Sequence, residues 1–448
     1  MEKKPNILLF FTDQQRWDTC GCYNPHLNLT PNLDQLAADG MVFEQTYTFQ
    51  PVCGPARMGI QSGMYPTAVD FWHNCCQADP GKMTSLAQYL GRQGYQTGYI
   101  GKTHWALQTD GPVPKELRLG YEDYWRAVDV LEFASLPYEG QVYDEDNRRV
   151  GFKDQYRPDF LTDLLLEFLK GQKENRQPFF MMMSLIEPHH QNCMNRYVAP
   201  DGYADRYQDA WVPEDLRMRP GEGDWETNLP DYYGIIRRID ENLGRVVKCL
   251  KENSLYDDTV IIFTSDHGSH FRTRNGEYKR SCHEACTRIP FVFHGPGVQK
   301  GVKETEHLFS LLDLPATVLE LAGMEKPGHF HGRSLLPFLK GEDVKEWRED
   351  VLIQISESQV GRAICDGRYK YSVSDPKSHG VYDSCSNRYT EEYLYDLRED
   401  PHESKNLIGD PGLEGVKARL RKQLISNIEH FECYTPEIIS FGGKEGLR

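Results

Sequence analysis

Short apolar runs that stop abruptly at polar residues recur along the chain. NILLFF (6–11) runs into Thr12 and Asp13, QTGYIGK (96–102) into Thr103 and His104, and PFFMMMSL (178–185) towards Glu187 and His189. TVIIFTSDHG (259–268) ends in Asp266 and His267, and IPFVFHG (289–295) is a further run. Continuous runs of this kind suit strands covered on both faces of a parallel sheet. Between them lie stretches with helical spacing. In TPNLDQLAADG, Thr30 can cap, Pro31 takes the first helical position, Leu33, Leu36 and Ala37 form one face, and Gly40 stops the turn. SLAQYLGRQGY (85–95), PDFLTDLLLEFLKG, DYYGIIRRIDENLGRVVKCLKEN (231–253) and LLDLPATVLELAG predict further helices. Strand and helix alternate, which predicts an α/β fold with a large, mostly parallel sheet sandwiched by helices.

Two segments, 104–160 and 191–230, are rich in aromatic and acidic residues with weak periodicity. They predict long loops over the edge of the sheet. From about 345 the texture changes. VLIQIS, RAICDGRYKYSV and EYLYDL predict short antiparallel strands, followed by a last helix over about 412–431. The expected organisation is a catalytic unit over 1–344 and a smaller α+β unit over 345–448 with an antiparallel sheet.

Composition narrows the partners. The chain has 448 residues, 39% of them hydrophobic, and a net charge of −16 with no basic block. Nucleic acid is excluded as a natural partner, and an acidic chain that handles anions must concentrate its positive charge in a pocket. No run has the apolar length to span a bilayer. The start, MEKKPNILLFF, has too short an apolar stretch for a leader, so a cytoplasmic location is expected. The 12 cysteines show no CxxC pair and are expected as thiols.

In open α/β sheets ligands sit beyond the carboxyl ends of the strands. Two of those ends match: Asp13–Gln14 and Asp266–His267 each deliver a carboxylate and a neutral ligand. Singly, each aspartate is an ordinary turn residue. Paired, they are a ligand set for one divalent cation, Ca²⁺, Mg²⁺ or Mn²⁺. Lys102 and His104 alternate after a second strand, His189 and His190 follow another, and a loop carries Lys279, Arg280, His283 and Arg288. Each alone is a solvated cation or a satisfied histidine; together they suit a small anionic ester of phosphate or sulfate.

PVCGPARMGIQSG (51–63) places Cys53 at the mouth of a predicted helix, with Arg57 one turn later. A helix start favours an anion and lowers a thiol's pKa. From the residues alone Cys53 is a packed thiol, a thiolate nucleophile, a metal ligand or a precursor of another group.

The Cys-x-Pro-x-Arg pattern of Cys53, Pro55 and Arg57 resembles the signature of the type I sulfatases of the alkaline-phosphatase superfamily. Further motifs follow in the family's order: PNILLFFTDQ, YIGKTHW, SDHG, KRSCHEACTRIP, LLDLPATVLELAG and YLYDLREDPHESKNL. The resemblance implies that a maturation enzyme oxidises Cys53 to Cα-formylglycine, whose hydrate attacks the ester's sulfur. It implies that Asp13, Gln14, Asp266 and His267, with the oxygen of residue 53, hold one divalent metal, Ca²⁺ foremost. Arg57 and Lys102 would steady the hydrate, and His104 would be the base that releases sulfate. His189 and Lys279 would bind sulfate and protonate the leaving oxygen, and His283 would pack or touch substrate. The implied substrate is a small sulfated sugar or an aryl sulfate. One departure matters. Many members carry Asp-Asp where this chain has Asp13–Gln14, a form shared with phosphonate monoester hydrolases. A phosphonate monoester or phosphodiester hydrolase using the same site is therefore the alternative, and an inactive sulfatase-like binding protein is a third expectation. Trp72, Trp105, Trp125 and Trp225 are candidates for stacking on a sugar or aryl ring.

Overall fold

The computed structural model describes residues 4–175 and 177–442. The charged start 1–3 and the closing 443–448, assigned above to the two end units, lie outside the described residues. Eleven strands form one sheet. In chain order they are β1 (Asn6–Asp13), β2 (Met41–Tyr47), β3 (Gln96–Lys102), β4 (Tyr124–Val128), β5 (Ser135–Leu136) and β6 (Glu139–Tyr143). Next come β7 (Arg149–Lys153), β8 (Phe179–Pro188), β9 (Thr259–Ser265), β10 (Phe291–His294) and β11 (Val302–Ser310). Across the sheet the order is β11-β2-β10-β9-β1-β8-β3-β4-β6-β5, with β7 paired to β6. Central neighbours β9, β1, β8, β3 and β4 run parallel, whereas β10 and the β5–β7 edge are antiparallel.

β1 shows why apolar runs build this sheet. Successive side chains point to opposite faces. Ile7, Leu9 and Phe11 enter one buried cluster, and Leu8 and Phe10 enter the other. Helices Cys53–Ser62, Leu86–Arg92 and Asp313–Leu321 close the first face. Helices Pro31–Ala38, Arg157–Gly171 and Trp225–Glu252 close the second. Strand β1 is thus covered on both sides and bonded on both edges.

The sheet is larger than the sequence patterns predict. The segment 104–160 is not only loop: it adds β4 to β7 to one edge of the sheet. Strands β2 and β11 also lack a recognisable run, because polar residues interrupt them; β11 alternates between exposed and covered positions at the opposite edge. The long helix begins at Trp225 rather than 231 and carries Pro230 within its early turns, where a proline is a misleading stop signal.

The C-terminal sheet is an antiparallel meander of β12 (Val351–Ile355), β13 (Val360–Cys365), β14 (Tyr369–Asp375) and β15 (Arg388–Asp396), closed by β16 (Glu437–Ile439) parallel to β15. Helix Glu414–Glu432 packs on it, and Arg362 pairs with Glu432 at 2.5 Å. Its apolar residues Leu352, Ile364, Leu420 and Leu424 share one buried cluster with Phe49 and Tyr65 of the main sheet's helical layer. The change of texture near 345 therefore marks a change of sheet, while the core runs on.

Two of the four candidate stacking tryptophans are excluded. Trp105 and Trp125 are fully buried around Tyr99. Trp72 and Trp225 are partly covered, with indole nitrogens donating to Val381 O and Arg219 O. None of the 12 cysteines is joined to another, and seven of them are buried.

Gly101 is where this packing touches chemistry. Its φ is +102°, and a Cβ there would lie 2.0 Å from the carbonyl oxygen of Ser184 on β8. A backbone atom cannot swing away. Gly101→Ala is expected to destabilise the fold by about 1–3 kcal/mol and to displace Lys102, lowering activity with stability. An unchanged urea midpoint would refute this.

Candidate active site

Four adjacent strands, β9, β1, β8 and β3, end at the same edge of the sheet. They deliver Asp266 and His267, Asp13 and Gln14, His189, and Lys102 in that spatial order. A shift of register between Phe11 and Asp13 sets Asp13 opposite Pro188 and frees it from the regular ladder. Helix Cys53–Ser62 brings its first residue to the same place.

One ligand atom each from Asp13, Cys53, Asp266 and His267 lie within 4.8 Å of one another, and all four residues are buried. His267 Nδ1 donates to the Gly268 carbonyl at 2.9 Å, which turns Nε2 toward Cys53 Sγ at 3.4 Å. Asp266 Oδ1 accepts from Gln14 N at 3.0 Å and His267 N at 2.9 Å, whereas Oδ2 has no hydrogen-bond partner and faces the Arg57 guanidinium at 3.6 Å. Gln14 repeats the pattern. Its amide nitrogen donates to the Tyr197 hydroxyl at 2.6 Å, and its Oε1 is buried without a partner. Buried acceptors are seldom left unmade. Oxygen atoms and one imidazole left open together fit a divalent cation. Gln14 thus presents a carbonyl oxygen, and Tyr197, which no sequence signal marks, turns it that way.

Electrostatics agree. Burial and the neighbouring Asp13 carboxylate push Asp266 up to about 7. Asp13 stays well below the carboxylate range: burial and Cys53 oppose its ionisation, but Lys102, His189 and Lys279 outweigh them.

The other side of Cys53 is cationic. Lys279 Nζ lies 2.6 Å from Sγ and 3.2 Å from His189 Nε2. His189 Nδ1 donates to the His190 carbonyl at 2.6 Å, so Nε2 faces the site. Burial opposes a thiolate at Cys53, but Lys102, Lys279 and hydrogen bonds from His104 and His189 pull its pKa well below the usual thiol value. Arg57 reaches Asp13 Oδ2 at 2.9 Å and also donates to the Lys102 carbonyl and Ser184 Oγ. Lys102 Nζ bridges Asp13 Oδ2 at 3.0 Å and Glu132 Oε1 at 2.8 Å.

Every residue given a metal or catalytic role above is therefore gathered here, with two corrections. Lys102 and His104 do not alternate along a strand: β3 ends at Lys102, and His104 has φ +63°. Asp129 imposes that turn, accepting from Thr103 Oγ1 and from the backbone of Trp105, Ala106 and Gln108. His283 is a packing residue. Its nitrogens meet Ser281 Oγ and the Tyr395 hydroxyl at 3.2 Å, and its ring lies against Tyr393 and Tyr395. Arg280 and Arg288 pair with Glu357 and Glu44, and His190 stacks between His189 and Tyr278. Glu132, Asp129 and Tyr197 are the residues that sequence patterns miss. All three lie in segments without periodicity.

A buried ligand set for a divalent cation, a modifiable residue at a helix mouth and a lysine–histidine wall define a hydrolase of small anionic esters on an alkaline-phosphatase-like fold. Comparison with known proteins gives the family. The sulfatase family profile matches residues 5–324, and the profile of the N-sulphoglucosamine sulphohydrolase C-terminal region matches 276–430. The chain is 28% identical to an ulvan-active sulfatase of Formosa agariphila over 96% of its length and 83% of that protein's. It is 25% identical to an N-acetylglucosamine-6-O-sulfatase of Bacteroides thetaiotaomicron, over 95% and 86% of the two chains. A solved structure of a sulfatase candidate from Bacteroides fragilis superposes with a TM-score of 0.81 at 25% identity, covering 96% and 97% of the two chains. The protein belongs to the sulfatase family of the alkaline-phosphatase superfamily and is a sulfuric ester hydrolase.

Two outcomes follow for the metal. Tyr197→Phe frees the Gln14 amide to turn, so affinity in a calorimetric metal titration should weaken by about 10–100-fold; unchanged affinity would dismiss the role given to Tyr197. Metal-free Asp266 holds its proton up to about pH 7, and a ligand must be ionised. Metal displaces that proton, so apparent affinity should fall by about tenfold per pH unit below about 7 and level off above it. A flat profile across that range would contradict the assignment.

Proposed function

We propose that the protein cleaves the sulfate ester of a small sulfated sugar or aryl alcohol through an aldehyde made from Cys53. Asp13, Gln14, Asp266 and His267 would hold the cation, Ca²⁺ by the hardness of the oxygen set. The observation that carries the reading is the position of residue 53, between the open ligand atoms on one side and Lys279, Lys102, His104 and His189 on the other. Sulfur here stands where the oxygens of a formylglycine hydrate would be. The relatives named for ulvan and for N-acetylglucosamine support a sugar.

Conversion removes sulfur from Cys53 and oxidises its Cβ by two electrons, with the oxidant supplied by a separate maturation enzyme. Water adds to the aldehyde to give two hydroxyls on one carbon. One hydroxyl gives up its proton to solvent, and its oxygen bonds to the ester's sulfur as the bond from sulfur to the alcohol oxygen breaks. Lys279 and His189, 3.2 Å apart beside residue 53, are placed to give the leaving oxygen its proton. His104, whose Nδ1 is buried without a partner, takes the proton of the second hydroxyl. The carbonyl re-forms, its bond to the sulfate oxygen breaks, and sulfate leaves. Arg57 and Lys102 fix the residue through Asp13. A bound cation would lower the hydroxyl pKa and draw charge from the sulfate oxygens. A second reading rests on Gln14: the Asp13–Gln14 pair resembles the form found in phosphonate monoester hydrolases, whose ester carries the same single negative charge as a sulfate monoester.

Protein matured in its host should show, by mass spectrometry, an aldehyde in place of the Cys53 thiol and should hydrolyse p-nitrophenyl sulfate. Cys53→Ala should lower kcat/KM by roughly 10³-fold or more. Full activity with an intact thiol, or in the alanine variant, would sink the proposal. Preference for a phosphonate monoester in the same assay would promote the second reading.

A further inference from the structure

Glu132 belongs to the short helix Leu131–Ala134, in the segment that joins β4 to β5. It is 4% exposed. One oxygen, Oε1, holds Lys102; the other, Oε2, is buried without a hydrogen-bond partner. Burial opposes its charge, but Lys102, His104 and His189 keep it ionised. A buried anionic acceptor of this kind gains a bond when a donor arrives beside it.

Glu132 also lines a cleft of about 580 Å³ and is the lining residue that reaches the reaction site, through its bond to Lys102. Its charged lining is Asp110, Glu132 and Glu139 against a single guanidinium, Arg149. Phe133 and Leu136 line the same cleft with 59% and 48% of their surface exposed. Exposed large apolar side chains beside a polar pocket mark a place where something docks. The cleft therefore offers an apolar patch and a surplus of carboxylates, with Glu132 standing between it and the catalytic lysine.

We propose that this cleft is the subsite for the alcohol half of the ester, and that it selects alcohols with no further negative charge and with a hydroxyl or ammonium donor for Glu132. The proposal rests on the sulfate-ester reading above and adds the class of leaving group. A ring alcohol lays its carbon face on Phe133 and Leu136 and gives hydrogen bonds to carboxylates. An alcohol carrying a uronate or a second sulfate brings like charges together, which costs several kcal/mol when close.

The test uses aldehyde-bearing enzyme and four esters: p-nitrophenyl sulfate, N-acetylglucosamine 6-sulfate, glucosamine 6-sulfate and a sulfated disaccharide containing a uronate. The neutral and amino sugars should exceed the uronate ester in kcat/KM by about tenfold or more. The double variant Asp110→Asn, Glu139→Gln should shrink that ratio to about threefold or less with p-nitrophenyl sulfate hydrolysis retained. Glu132→Gln places an amide donor where an acceptor stood and should lower the sugar esters about tenfold more than p-nitrophenyl sulfate. Equal hydrolysis of the uronate ester, or a ratio unmoved by the double variant, overturns the subsite while leaving the sulfatase reading intact. No hydrolysis of any of the four, p-nitrophenyl sulfate included, overturns that reading and the subsite with it.

Discussion

Both oxygens of Asp13 are committed at complete burial. Oδ2 accepts from Arg57 and Lys102, and Oδ1 faces Cys53 Sγ at 3.4 Å and His267 Nε2 at 3.7 Å. An ion removed from water in this way costs several kcal/mol, which only well-placed partners offset. The partners come from different elements: Arg57 from the helix that starts at Cys53, Lys102 from the end of β3, His267 from the turn after β9. None can settle unless the others do. Loss of the carboxylate would leave Arg57 and Lys102 buried and less compensated, a defect worth about 3–5 kcal/mol in comparable pairs. The assembly of the site and the closing of the sheet's edge are one event.

Around that carboxylate stands a ring of others whose work is orientation. Asp129 folds the backbone that aims His104, and Glu132 holds the far side of Lys102. Glu187 anchors Arg157, which in turn meets Ser135 and Gln191, the residues flanking the Glu132 helix and the His189 turn. The chain's acidic balance is therefore present inside the site as well as on its surface. Its positive charge is concentrated in a few buried lysines and arginines, and neighbouring anions offset the burial of each: Asp13 for Arg57 and Lys102, Cys53 and Asp13 for Lys279.

What could be read in advance follows from this division. Asp13, Gln14, Lys102, His189, Asp266 and His267 stand at the ends of apolar runs, so the pattern that reveals a strand also exposes the residue after it. Cys53 and Arg57 were legible for another reason: their Cys-x-Pro-x-Arg pattern resembles the sulfatase signature, which singles out a cysteine that its place at a helix mouth leaves open. The edge strands β4 to β7 and β11 were not legible, because strands facing solvent need no continuous apolar run. Asp129, Glu132 and Tyr197 share that fate. Their roles depend on what lies opposite them in space, and no local pattern carries it. Trp105 and Trp125 erred the other way: aromatic residues in an irregular segment suggested a surface, yet they fill the core beside β3.

The division also explains how a protein of net charge −16 can draw in an anion. Within the site, Arg57, Lys102 and Lys279 stand against Asp13, Glu132 and, once it has ionised, Asp266, a balance of fixed charge. Such a site neither attracts nor repels a sulfate strongly. A divalent cation on the open oxygens of Gln14 and Asp266 would turn balance into surplus, and the surplus would be confined to the few ångströms where the ester's oxygens sit. A second aspartate in place of Gln14 would cancel part of it. As a ligand, Gln14 would keep an oxygen on the cation while sparing the site a charge, and so would serve anion capture as well as metal binding.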